Sequence, residues 1–144
     1  MLSEKVKEYC KSKGWWYEDY TEKYEQALTN LNIDLSSDFA IFFLHVEDGP
    51  TFFSRYREIY QVCWFVINSN YQLDLDRTHQ ILNLPSEFMP LDSFEGQGGF
   101  FYNKLTGAVF ELELGQKILD FQNGKLAPQW DSFNDFLEWF FELN

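Results

Sequence analysis

The sequence is poor in cysteine, in long apolar runs and in positive charge, and each shortage excludes a class of protein. Its two cysteines, Cys10 and Cys63, form no CxxC pair, so the sequence predicts neither a disulfide framework nor a structural zinc site. The longest nearly uninterrupted apolar run is FAIFFLHV, which is far too short to cross a bilayer. The charged N-terminus lacks the apolar core of a signal peptide, so we expect a cytoplasmic location.

Positive charge is scarce as well. Lysine and arginine number 11 against 23 aspartates and glutamates, which leaves a formal net charge of −12. Nucleic-acid binding depends on basic side chains that displace counterions, so this charge argues against a nucleic-acid partner and against an anionic membrane surface. A basic protein partner would be attracted instead. An equally favoured interpretation is that the acidity only keeps an aromatic-rich protein soluble.

The chain is rich in aromatic side chains. Of its 144 residues 45% are hydrophobic, and 16 Phe, 8 Tyr and 5 Trp bring the aromatic share to 20%. This composition predicts a folded chain with a sizeable core and argues against disorder. No linker, repeat or low-complexity segment interrupts the chain, so we expect one domain over residues 1–144.

Helical periodicity is clearest near the two ends of the chain. A helix is predicted in LSSDFAIFFLHVEDGP, with Ser36 or Ser37 as its N-cap and with Gly49 and Pro50 at its end. Another helix is predicted to begin near Thr21. The terminal WDSFNDFLEWFF places aromatic residues on one side and acidic residues on the other, which predicts an amphipathic helix.

Two middle segments are harder to assign. Residues 56–67 fit both a helical stripe and a strand alternation, and their β-branched and aromatic side chains favour a strand across Tyr60 to Ile67. Further along, the Asn123-Gly124 pair is a strong short-range signal for a β-hairpin.

The segment FEGQGGFFYNKLTGAVFELEL holds four of the eight glycines. A phosphate-binding loop is the first interpretation to test, but no lysine follows Gly98 and Gly99 where a Walker motif needs one. A dinucleotide fingerprint would lead into a helix, whereas a strand-like run follows here. We therefore expect no nucleotide cofactor, and we interpret Gly96, Gly98 and Gly99 as a structural turn that feeds a strand.

A hairpin is predicted after these glycines. Its strands are 100–104 and 108–114, and Leu105-Thr106-Gly107 forms a three-residue loop with Gly107 in the left-handed position. This register sets Tyr102 opposite Phe110 and Phe100 opposite Leu112, with that face towards the core. The side chains proposed as partner contacts, all at or beside this hairpin, are Glu95, Phe101, Glu111 and Glu113, of which the last three are expected to face outward.

Motifs of catalysis and metal binding are missing from the sequence. Asp74 and Asp76 open a calcium-loop-like DxD, but His79 stands where that loop needs glycine and Pro85 where it needs glutamate. The histidines, His45 and His79, belong to no HExxH motif, and no GxSxG motif is present. We expect a protein that is not an enzyme and that has neither a catalytic site, nor a cofactor, nor a metal.

The order of these motifs resembles the SUKH superfamily, also called the Smi/Knr family. The segment LTNLNIDLSSDFAIFFLHVEDG is similar to its opening signature, ILNLPSEFMPLDSFEGQGGFFYNKLTGAVFELEL to its second half, and WDSFNDFLEWFF to its closing helix. The resemblance covers about residues 22–143. Two positions depart from it: Leu35-Ser36 replaces the usual Leu-Pro, and Phe100 replaces the aspartate that commonly follows the paired glycines.

This resemblance implies a single α+β domain with a bent antiparallel sheet flanked by helices. It also implies a non-enzymatic protein-binding module, since many bacterial members are immunity proteins that neutralise toxin domains. The alternative that the resemblance implies is a regulatory or scaffold protein in cell-wall glucan synthesis or its signalling. Because such a transfer rests on fold-level likeness, the partner must be argued from the site.

Overall fold

A computed structural model describes residues 1–143. The expected α+β class is confirmed, and the strands are antiparallel, divided between a two-stranded and a three-stranded sheet. The described residues form two compact units: residues 1–70 together with residues 134–143, and residues 71–133. Among the described residues, no helix combines the length and the apolar character that crossing a membrane requires.

The first unit is mainly helical and contains the two-stranded sheet. Its elements, in chain order, are α1 (Glu4–Ser12), α2 (Glu22–Asn30), α3 (Asp38–His45), β1 (Thr51–Ser54), β2 (Arg57–Tyr60), α4 (Val62–Asn68) and nearly all of α7 (Phe133–Phe140). The predicted start of a helix near Thr21 is confirmed: the Thr21 side chain caps α2 by accepting a hydrogen bond from the Tyr24 amide. The predicted terminal amphipathic helix is confirmed as α7.

Helix α3 begins as predicted and ends earlier than predicted. Ser37 caps it by accepting a hydrogen bond from the Ala40 amide at 3.1 Å. The helix ends at His45 rather than near Gly49, because Val46 is extended and forms an antiparallel bridge with Trp16. The core of this unit is built from the aromatic side chains of α3 and their neighbours, including the fully buried Phe42 and Phe52 with ring centroids 5.2 Å apart.

The predicted strand across Tyr60 to Ile67 is wrong. Strand β2 ends at Tyr60, and the next residue, Gln61, is the N-cap of helix α4. The Gln61 side chain accepts a hydrogen bond from the Trp64 amide and donates two to backbone carbonyls of the unit. These contacts and the burial of Val62 and Cys63 override the strand propensity of the segment, because tertiary packing outweighs the weak preference of single residues.

Both cysteines are buried free thiols in this unit, so we predict that they react slowly. Burial raises the pKa of Cys10 and of Cys63 to about 12. At pH 8 the reactive thiolate should be on the order of a thousandfold scarcer than for an exposed cysteine. Labelling with Ellman's reagent should therefore be slow in buffer and fast in ~6 M guanidinium chloride, where the thiols are exposed.

The same shifts fix the direction of the alkaline pH dependence. Because folding raises both thiol pKa values, their contribution to stability is complete below about pH 8.5 and is lost as the pH rises towards 12. Replacing both cysteines with alanine should make the loss of stability above about pH 9 less steep. Rapid labelling of the native chain would contradict the assignment of buried thiols.

The second unit contains the three-stranded sheet. Its elements are α5 (Tyr71–Asp76), a π-helical turn (Arg77–Ile81), β3 (Phe88–Pro90), a 3-10 turn (Glu95–Gln97), β4 (Gly98–Asn103), β5 (Val109–Glu113) and α6 (Gln116–Gln122). The strand order is β3-β4-β5, and both pairs are antiparallel. Its apolar core includes Leu84, Phe88 and Leu112.

The predicted hairpin of β4 and β5 is confirmed, but its predicted register is wrong by one residue. Tyr102 pairs with Val109 and Phe101 with Phe110, because the loop has four residues rather than three. The side chain of Asn103 accepts hydrogen bonds from the amides of Leu105 and Thr106, and the Asn103 carbonyl accepts one from Gly107. An asparagine turn of this kind lengthens the loop and moves every cross-strand pair.

The hairpin predicted at Asn123-Gly124 is also wrong, because this pair ends helix α6. Gly124 is left-handed, with φ of 70°, and its amide donates to the Phe121 carbonyl. The Lys125 amide donates to the Asp120 carbonyl. These two hydrogen bonds form a Schellman motif, in which a left-handed glycine closes a helix rather than a hairpin.

Candidate functional site

The glycines predicted as a structural turn have two different roles. Gly96 and Gly107 are left-handed, with φ of 67° and 82°, and lie in the turns before β4 and before β5. Gly98 and Gly99 are instead the first two residues of β4, paired with Glu113 and Leu112 on β5. The bend before β4 is therefore made by residues 94–97.

One of the four predicted partner contacts lies in the core rather than on the surface. Phe101 was expected to face outward, but it is fully buried, because β4 lies between β3 and β5 and is covered on both faces. Glu111 is half-buried, lies 3.7 Å from the Lys117 ammonium, and exchanges backbone hydrogen bonds with the Gln129 side chain. Of the four predicted residues, only Glu95 and Glu113 are exposed.

A cleft in the first unit brings together residue types that no sequence motif singled out. We call it the aromatic–acidic cleft; its volume is about 340 Å³. It combines three tyrosines and a histidine with two carboxylates, and its lining residues are Tyr17, Asp19, Tyr20, Thr21, Tyr24, Leu44, His45, Val46 and Glu47. Clefts of this size with a few convergent polar groups are typical of binding sites.

Backbone pairing between two segments forms one wall of the cleft. The Tyr17 amide donates to the His45 carbonyl at 2.7 Å, and the Glu47 amide donates to the Trp15 carbonyl at 3.0 Å. This pairing is possible because α3 ends at His45 and the following residue is extended. It brings Tyr17 next to His45 and Trp15 next to Glu47.

His45 is held at the cleft by three contacts. Its ring stacks on Trp16 with centroids 5.0 Å apart and meets the Tyr20 ring edge to face at 5.2 Å. Its Nδ1 lies 2.8 Å from the Tyr17 carbonyl oxygen. Since a carbonyl oxygen only accepts, Nδ1 carries the proton, and in the neutral ring Nε2 is left as an acceptor.

The two carboxylates of the cleft differ in their partners. Glu47 accepts a hydrogen bond from the Tyr24 hydroxyl through its Oε1 atom, whereas Asp19 is exposed. Burial, and after it the hydrogen bond to Glu47, raises the pKa of Tyr24 well above its usual range, so this tyrosine stays protonated. Within residues 1–143 neither carboxylate forms a salt bridge.

The sequence contained a signal for this cleft. The stretch WWYEDYTEKY, residues 15–24, interleaves aromatic with acidic residues and supplies five of the nine lining residues. Its carboxylates do not stand out in the sequence, because acidic residues are numerous throughout the chain. The remaining lining residues, 44–47, come from the end of α3 and the segment after it, and only the fold brings them to the first group.

The other candidate residues make local contacts. His79 donates through Nε2 to the Phe88 carbonyl at 2.7 Å, and Asp74 of the DxD pair forms a salt bridge with Arg77 at 3.1 Å. Nowhere in residues 1–143 do three or more His, Cys, Asp or Glu side chains form a group suited to hold a metal ion.

Comparison with family models, with curated proteins and with solved structures finds no match to this chain. The SUKH resemblance therefore stays a prediction.

Proposed function

We propose that this chain is a protein-binding module, specifically a bacterial immunity protein that binds and neutralises a basic toxin domain. The observation that supports it best is the aromatic–acidic cleft, where tyrosine rings and two carboxylates without salt bridges line one concave surface. The assignment of the toxin comes from the order of sequence motifs that resembles the SUKH superfamily. The preference for a basic partner comes from charge.

The exposed rings of the cleft suit a protein interface. Tyr17 is 54% exposed and Tyr20 is 43% exposed, although each is a large amphipathic ring. Tyrosine is enriched among the residues that contribute most to binding, since it buries a large area at little cost in side-chain entropy. A partner that covers the cleft would bury both rings.

The net charge of this chain indicates that its partner is positively charged. A chain of −12 repels acidic proteins and attracts basic ones, which accelerates their association at low ionic strength. A toxin that acts on nucleic acid needs a positively charged groove for its substrate. An acidic protein seated in that groove would block the substrate.

Direct binding tests this proposal. The purified chain should bind the toxin domain encoded next to its own gene, inhibit that toxin at a one-to-one ratio, and associate at least about tenfold more slowly in ~0.5 M than in ~0.05 M salt. Surface plasmon resonance measures the association rate, and the toxin's own activity assay measures inhibition. The absence of binding at low salt would contradict the proposal.

A pair of tyrosine variants locates the contact. Tyr20→Ala removes a ring from the cleft and should weaken binding of that toxin about thirtyfold, as expected for a residue central to an interface. Tyr56→Ala is the matched control, because Tyr56 is 95% exposed in the β1–β2 turn and lies outside the cleft lining. Its affinity should change less than about twofold. Equal losses of toxin affinity in both variants would show that the toxin does not bind at the cleft.

A further inference from the structure

We propose that the aromatic–acidic cleft binds an arginine side chain of the protein partner, with the guanidinium against the Tyr20 ring and the Glu47 carboxylate. The inference rests on the proposed protein-binding function and adds the chemical group that is recognised. It follows from the combination of rings, carboxylates and concave shape in one place.

The lining of the cleft favours a cation. Its charged side chains are Asp19 and Glu47, and no lysine or arginine is among its lining residues. Aromatic rings attract cations through their negatively charged faces, and the attraction grows when water is excluded. The cleft thus offers full negative charges together with ring faces, and no internal cation of residues 1–143 pairs with either carboxylate.

The nearby end of helix α2 does not reverse this preference. Thr21 is the N-cap of α2, and the N-terminus of a helix carries a partial positive charge of about one half. The Thr21 side chain already accepts a hydrogen bond from the Tyr24 amide, and Glu22 and Glu25 lie in the first turn. Two carboxylates in the cleft outweigh this partial charge, so an anion is disfavoured.

Geometry distinguishes arginine from lysine. A guanidinium is planar, stacks on aromatic faces and presents several N–H groups in a rigid plane, whereas an ammonium is a compact, strongly hydrated charge. Glu47 uses its Oε1 atom for the Tyr24 hydroxyl, which leaves Oε2 as an acceptor.

Isothermal titration of the full chain with three capped amino acids tests the inference. Nα-acetyl-arginine amide should bind with a dissociation constant on the order of 1 mM at low salt, as expected for a ligand of this size. Nα-acetyl-citrulline amide, nearly identical in shape but uncharged, should bind at least about tenfold more weakly. The lysine analogue should bind more weakly than the arginine analogue. Equal binding of arginine and citrulline would overturn the proposal.

Two variants with the same change in charge place the arginine probe in the cleft. Glu47→Gln should weaken its binding at least about tenfold, since the amide retains an acceptor for Tyr24 but loses the charge. Asp48→Asn is the matched control, because Asp48 is the exposed neighbour of Glu47 and does not line the cleft. Circular dichroism and thermal unfolding of both variants verify that they are folded. Equal losses of arginine binding in the two variants would overturn the assignment of the probe to the cleft.

The probe and the toxin experiments fail independently. If the toxin binds but the arginine probe gives no saturable heat, the cleft inference falls and the protein-binding function stands. If the probe binds with the predicted selectivity but the toxin does not, the cation site stands and the immunity function falls. Loss of both signals in Glu47→Gln, with both retained in Asp48→Asn, supports the two proposals together.

Discussion

Replacing Gln61 with leucine is expected to lower the free energy of unfolding by about 3–5 kcal/mol, because two buried backbone carbonyls and one partly buried backbone amide would lose their partners. Gln61 is fully buried, and its Nε2 donates to the carbonyls of Phe43 and Val46, both at 2.9 Å. Its Oε1 accepts from the Trp64 amide at 3.2 Å. The side chain therefore ties the end of α3 to the start of α4.

Urea unfolding followed by far-UV circular dichroism measures this loss. Gln26→Leu is the control in the same unit, because Gln26 is exposed on α2 and its side chain donates only to Glu22 at 3.4 Å. The control should change stability by no more than about 0.5 kcal/mol. A loss below about 1 kcal/mol in Gln61→Leu would show that its hydrogen bonds do not fix the junction of α3 and α4.

Replacing Gly99 with alanine is expected to cost about 3 kcal/mol, although its backbone is not left-handed. A Cβ atom at this position would lie 2.3 Å from Oδ1 of Asp92 and 3.1 Å from the Phe94 ring. Asp92 is buried, and its carboxylate accepts hydrogen bonds from the amides of Phe94 and Phe100. Moving Asp92 away would break these charge-assisted bonds, so the clash is not relieved cheaply.

The neighbouring glycine supplies the control for this variant. A Cβ at Gly98 would meet the Cβ of the exposed Glu113 at 3.2 Å, a contact that a small shift relieves. Gly98→Ala should therefore change stability by less than about 1 kcal/mol. Chemical unfolding monitored by tryptophan fluorescence compares the two, since Trp130 lies in the same unit with its ring 5.9 Å from that of Phe100. Equal effects in both variants would show that the close approach to Asp92 has no energetic consequence.

Locally encoded elements were predicted best. The start of α2 near Thr21, the cap of α3 at Ser36 or Ser37 and the terminal helix α7 follow from side chains within one turn of the elements they start or form. The side chains that indicate these helices lie within the helices or beside them, so the prediction needed no knowledge of distant contacts. The α+β class was implied by the order of sequence motifs that resembles the SUKH superfamily.

Elements that depend on distant or competing contacts were predicted wrongly. Residues 62–68 are helical because Gln61 caps them and contacts α3, a partner far away in sequence. The register of β4 and β5 depended on the single side chain of Asn103, which lengthened the turn by one residue. Phe101 is buried for a different reason: β4 is the central strand of its sheet, and its residues from Gly99 to Asn103 are all buried, so both of its faces are covered.

The glycines of residues 94–114 show the same division. Gly96 and Gly107 lie in left-handed turns, which a local pattern of turn residues indicates. Gly99 is required by the buried carboxylate of Asp92, which packs against it across the bend before β4. That requirement depends on the distance between the Asp92 carboxylate and the place where a Cβ of residue 99 would lie, so no local pattern could reveal it.

The candidate site separates what composition decides from what the fold decides. The sequence alone determined the net charge of −12, the aromatic share of 20% and the aromatic–acidic stretch 15–24. Only the tertiary structure decided that this stretch meets His45 and Glu47, because the end of α3 and the extended Val46 let the two segments pair. Charge and composition are sums over residues and need no fold, whereas a cleft is a set of distances that only the folded backbone defines.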